Sequence, residues 1–122
     1  MRVNISMKRK VVFYKTNYIC PIQNFLDSLP GKAAQKIVWV LKLFEDLEIV
    51  PGEYIRKITG TKYLWECRIK FGSISYRVLY FFTDIGEIVL TNGFIKKTRK
   101  TPRHEIEKAE SYRKEYFRRV KV

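Results

Sequence analysis

Fixed cations are the commonest reactive groups in this 122-residue chain, and several sit at strand-like spacing. Arg68 and Lys70 alternate with apolar residues in the run Lys62 to Phe71, and Arg77 follows Tyr76 in the next run. Lys96, Lys97, Arg99, Lys100 and Arg103 then fall within eight residues. Antiparallel neighbours lie about 4.7–4.9 Å apart, so Arg68 and Arg77 can serve one surface. Such a surface holds a phosphate chain by Coulomb attraction, and each phosphate neutralised adds salt dependence to binding. Tyrosine and tryptophan offer faces on which splayed bases stack.

The absences narrow the chemistry further. There is one histidine, His104, so an acid and a base cannot both be imidazoles, and metal sites of several His or Cys ligands are excluded. The two cysteines, Cys20 and Cys67, are too far apart for a zinc cluster and too few for a disulfide framework. Cys67 reads as a small core residue. The carboxylates show no paired motif, and neither a glycine-rich phosphate loop nor a serine nucleophile elbow is present. No cofactor is expected. The formal net charge of +13 attracts polyanions, so nucleic acid, the ribosome or an acidic protein are the natural partners.

Each group also has a plainer reading. Tyr63, Trp65 and Phe71 alternate with polar residues and read as core before they read as stacking platforms. Arg68 and Lys70 are equally well read as solvated, or as paired with Glu66 and Glu87. The KKTRK run, judged alone, is a solvated polyanion patch, and His104 judged alone is a surface residue.

The elements that must position these groups are legible from pattern. Lys10 to Lys15 reads as a first strand. Ile22, Phe25, Leu26 and Leu29 mark one face of a helix over Pro21 to Leu29, broken by Pro30-Gly31. A second helix is expected from Lys32 to Glu48, with Ala34, Ile37, Leu41 and Phe44 as its stripe, widened by Val38, Val40 and Leu47. Glu53 to Gly60 reads as a loop. Three strands follow, Lys62 to Phe71, Ile74 to Thr83 and Glu87 to Ile95, with turns at Gly72-Ser73 and Asp84 to Gly86. Gly93 inside the last strand signals a bulge or the close approach of another backbone. A final helix runs from Pro102 to Arg119, with Thr101 as its N-cap. The expected fold is α+β: a twisted antiparallel sheet with an N-terminal strand at one edge, a helical hairpin on one face, a three-stranded meander and a C-terminal helix. The chain reads as a single domain over 1–122, with a disordered lead over 1–9. No apolar run suits a membrane span and the start is no secretory signal, so a reduced cytoplasmic setting is expected.

Three segments resemble the RelE/ParE superfamily of bacterial toxins, and above all its HigB-like, phage-derived branch: LPGKAAQKIVWVLKLFEDL, LWECRIKFGSISYRVLYFF and IVLTNGFIKKTRKTPRHEIEKA. GFIKKTRKTPRHEI is the most specific of them. The resemblance implies a RelE-like fold and a type II toxin that cleaves mRNA, usually in the ribosomal A site. It also implies a helix-turn-helix antitoxin through which the complex binds operator DNA. The ParE side of the superfamily instead poisons DNA gyrase, and a degenerate relative would bind only RNA or its antitoxin. Carried onto this chain, the resemblance implies a catalytic set of Arg68, Tyr76, Arg77, Lys96 and Lys97, with Arg77 near the scissile phosphate. Lys70, Arg99, Lys100, Arg103 and His104 complete an RNA-binding set. Glu66 stands where some relatives carry lysine. The expected reaction is attack of the RNA 2′-OH on the adjacent phosphate without a metal, with Tyr76, Glu66 and His104 as alternative proton carriers.

Overall fold

A computed structural model describes residues 9–120. Its elements are β1 (Lys10–Phe13), α1 (Pro21–Asp27), α2 (Gly31–Asp46), a 3-10 turn (Gly52–Tyr54), β2 (Ile55–Lys57), β3 (Trp65–Phe71), β4 (Ile74–Phe82), β5 (Glu87–Ile95) and α3 (Arg103–Val120). The sheet order is β1-β5-β4-β3-β2. The three long strands form the expected meander, and Gly72 (φ 63°) makes the tight β3–β4 turn with Ser73.

Two features differ from expectation. The sheet is mixed, because β1 joins the edge parallel to β5, Lys10 opposite Glu87 through Phe13 opposite Leu90. Two helices and three strands lie between β1 and β5 in sequence, so no tight turn forces the pair to run antiparallel. Part of the expected loop over 53–60 is instead β2, antiparallel to β3, with Arg56 opposite Glu66. Of the expected lead over 1–9, residues 1–8 lie outside the described residues. Arg9 donates to the carbonyls of Leu47 and Glu48 at 3.2 and 3.0 Å.

Both faces of the sheet are covered. One carries Cys67, Ile69, Tyr76, Val78, Tyr80, Ile88 and Leu90, packed against Ile22 and Leu26 of α1 and Ile37, Val40, Leu41 and Phe44 of α2. The other carries Leu79, Phe81, Val89 and Phe94, packed against Ala109, Ile106 and the aromatic residues of α3. Val38 and Leu47 lie outside the α2 stripe and are exposed, as is Trp39. Gly93 marks the expected irregularity, but what approaches it closely is a side chain and not another backbone. The β4–β5 register shifts between Val78 and Tyr80, and a Cβ on Gly93 would fall 2.3 Å from the Phe25 ring of α1.

Candidate active site

Adjacent strand residues point to opposite faces, and this rule sorts the predicted site. Cys67 and Ile69 face the hairpin, so Glu66, Arg68 and Lys70 face the α3 side. Tyr76 and Val78 face the hairpin, so Arg77 also turns to the α3 side. Register then sets them in rows: Arg56 opposite Glu66, and Arg68 opposite Arg77, which in turn lies opposite Phe94. Lys70 lies opposite Ser75, whose carbonyl accepts the Lys96 N–H at 2.8 Å.

Glu66 anchors this surface. It is 2% exposed, its Oε2 lies 3.7 Å from Arg77 Nε, and its Oε1 accepts the Thr101 hydroxyl at 2.8 Å. Arg77 is 7% exposed and donates from Nη1 to the Tyr76 carbonyl at 3.1 Å, while its Nε has no hydrogen-bond partner. Burial lowers the Arg77 pKa; Glu66 opposes that shift, and Arg68 and Arg56 add to it. The guanidinium nonetheless stays charged at any ordinary pH. Lys96 is lowered too, by burial first and then by Arg77, Arg56 and Arg68, with Glu66 opposing.

Two clefts open on this surface. Arg68, Lys70, Ser75 and Arg77 line one of about 290 Å³, and Arg56, Glu66, Lys96, Arg99, Lys100 and Thr101 line a second of about 330 Å³. Five fixed cations, Arg56, Arg68, Lys70 and Arg77 on three strands and Lys96 just after β5, thus gather around buried Glu66, with a second carboxylate, Glu53, on the wall of the first cleft. An array of this kind has the charge and the donors to hold a phosphodiester.

Not every predicted residue joins. Tyr76, expected beside Arg77 in the catalytic set, is 2% exposed in the hairpin core, because neighbouring side chains on a strand cannot share a face. For the same reason Lys96 and Lys97 diverge, and Lys97 lines a separate groove with Phe25, Ile95 and His104. His104 is largely exposed there, with Nε2 3.2 Å from Glu105 Oε2. Arg103 points to solvent and pairs with Glu107 at 3.6 Å. Glu66 and Glu87, offered as partners for Arg68 and Lys70, are engaged elsewhere: Glu66 with Arg77 and Thr101, Glu87 with the Tyr116 hydroxyl. Cys67 is wholly buried, and burial pushes its thiol pKa upward, which suits a core residue.

Arg56 was missed in the sequence, since a three-residue edge strand is too short to show alternation. Ile55 and Ile58 around the cation were the available signal. Thr101 is not the N-cap it was expected to be. Its hydroxyl crosses to the sheet, and the Pro102 carbonyl accepts the first helical N–H groups, from Glu105 and Ile106.

The model of a family described as phage derived protein Gp49-like matches residues 24–114. The chain belongs to this family. Gp49-like proteins are RelE/HigB-type toxins of toxin–antitoxin systems, so membership implies an antitoxin partner. The family is also associated with endoribonuclease activity. The match runs from within α1 through most of α3, and so includes every cation of the surface just described. No curated protein matches this Gp49-like chain. Among its described residues, no helix is long and apolar enough to cross a membrane.

Proposed function

We propose that this Gp49-like toxin is a HigB-like, ribosome-dependent mRNA endoribonuclease of the cytoplasm, held in check by a helix-turn-helix antitoxin that carries the complex to operator DNA. One observation carries the reading: Arg77, paired with buried Glu66, lines one cleft with Arg68 and Lys70, while Glu66 lines the next with Lys96. In this reading the scissile phosphate sits between them.

In the reaction, the 2′-oxygen bonds to phosphorus and the bond from phosphorus to the 5′-oxygen breaks. The products are a 2′,3′-cyclic phosphate and a 5′-OH. Arg77 holds the phosphorane oxygens, where charge develops. Of the three proton carriers read from sequence, Glu66 lies in this cluster, Tyr76 is through the sheet and His104 lies on another groove. Glu66, buried with both oxygens engaged by Thr101 and Arg77, holds those groups in place, and the 2′-OH proton passes to water as the bond to phosphorus forms. Lys96, made more acidic by burial and its cationic neighbours, donates one to the leaving 5′-oxygen. The cations supply the charge stabilisation that a metal ion gives elsewhere, so a chelator leaves cleavage intact.

Induced expression followed by mapping of mRNA 5′ ends tests this reading. New ends within translated frames are expected, carrying 5′-OH and lost when ribosomes are kept off the message. Arg77→Glu should abolish them. Intact transcripts with broken DNA would instead identify a gyrase poison of the ParE kind. Intact transcripts and intact DNA would mark a relative that only binds.

A further inference from the structure

The loop between β5 and α3 carries Lys96, Lys97, Arg99 and Lys100 in close succession, with all but Lys96 exposed. Like charges so close repel, and a run of this kind does not hold one shape unaided. Among the described residues, a single side-chain hydrogen bond ties the loop to the sheet, from Thr101 Oγ1 to Glu66 Oε1 at 2.8 Å. The other hydroxyl of the loop, on Thr98, is spent within it on the Lys100 carbonyl at 2.8 Å. The acceptor for Thr101 is itself fixed, because Glu66 is buried and its second oxygen faces Arg77. One carboxylate therefore links the loop to the arginine at the centre of the site.

We propose that Thr101 is a positioning residue of the RNA site: its hydroxyl, seated on Glu66, holds the loop over the Arg77 surface so that Arg99 and Lys100 meet the same ribose-phosphate chain as Arg77 and Lys96. The RNA half of this claim rests on the reading of the clefts as an RNA site; the latch itself does not. A threonine methyl in place would satisfy packing, but only the hydroxyl satisfies the carboxylate.

Thr101→Val and Thr101→Ser separate these roles. In the free protein, trypsin should cut after Arg99 and Lys100 faster in Thr101→Val than in wild type, while Thr101→Ser keeps the wild-type rate. A short fluorescent single-stranded RNA should bind Thr101→Val roughly three- to tenfold more weakly, the range set by one hydrogen bond. The slope of log affinity against log salt should fall by about 1.4, about 0.7 for each of two phosphates that Arg99 and Lys100 no longer neutralise. Thr101→Ser should restore both. Thr101→Ala, read by the same measures, serves if the valine variant does not fold. Wild-type proteolysis and affinity in the hydroxyl-free variants would overturn the proposal, as would an equal loss in Thr101→Ser. If the wild-type protein itself neither binds nor cleaves RNA, the RNA reading fails, and the proteolysis comparison still decides the latch.

Discussion

Arg77 sets the energetics of the site because burial removes water from a charge that one carboxylate only partly compensates. Deleting it leaves Glu66 buried beside weaker partners, so Arg77→Ala is expected to lose stability as well as activity. Arg77→Lys is the cleaner probe, since it keeps a charge opposite Glu66 but lacks the planar fork. We expect ~10²–10³-fold slower RNA cleavage with a melting temperature close to wild type, checked by single-turnover kinetics and calorimetry. Lys96 gives a pH signature. Its pKa lies below the ordinary lysine value of 10.5, so it loses its proton at lower pH than an exposed lysine does. Its proton is therefore disfavoured in the folded state, and that cost shrinks as pH rises from the lowered pKa and is gone above 10.5. RNA affinity should accordingly decline on the alkaline side at a pH below the ordinary lysine value, and Lys96→Arg should hold it flat across the same range. Which cations converge was only half legible in the sequence. Period-two alternation put Arg68 and Arg77 within reach of each other. The same rule, applied to Tyr76 and Lys97, sends them away, although adjacency in a motif had grouped them with their neighbours.

At the level of elements, α3 is held by polar and aromatic contacts as well as by burial. Tyr14, at the end of β1, donates to Glu115 at 2.6 Å and stacks on Tyr112 with ring centroids 4.7 Å apart. Arg113 lies 3.6 Å above the Tyr63 ring, and Tyr116 donates to Glu87 at 2.9 Å. Near the start of the helix, Asn92 on β5 donates to the Glu105 carbonyl and carboxylate at 3.2 and 2.9 Å. Tyr14→Phe should cost about 1 kcal/mol by denaturant titration, the usual worth of one hydrogen bond. Burial and Glu115 push the Tyr14 phenol up to about 12, so it stays protonated where an unfolded tyrosine, near 10, has ionised. Stability should therefore fall as pH rises from about 10 toward 12 in wild type, and less steeply in Tyr14→Phe. Gly93→Ala drives a methyl into the Phe25 ring and should cost about 1–3 kcal/mol, measured the same way. The long strands and all three helices could be read from periodicity and from their Gly and Pro punctuation. The β2 strand could not, because three residues carry no period, and nothing local in KVVF says that its partner runs parallel rather than antiparallel.

The whole molecule carries a net charge of +13, and its effect is long-ranged only at low salt. RNA binding should weaken steeply between low and physiological ionic strength, with a slope of about 0.7 per phosphate neutralised, read from a salt series by fluorescence anisotropy. Both faces of one sheet are packed, so we expect a single cooperative unfolding transition, with circular dichroism and tryptophan fluorescence coinciding. The pairing of β1 with β5 joins segments that are made at quite different moments. At roughly 5–20 residues per second, a nascent chain carries β1 with bare amides and carbonyls for seconds before its mate emerges. A polypeptide released early, after β4, would have an unclosed sheet and none of the KKTRK lysines. Such fragments would be sticky prey for proteases and, without that loop, harmless to the cell that made them.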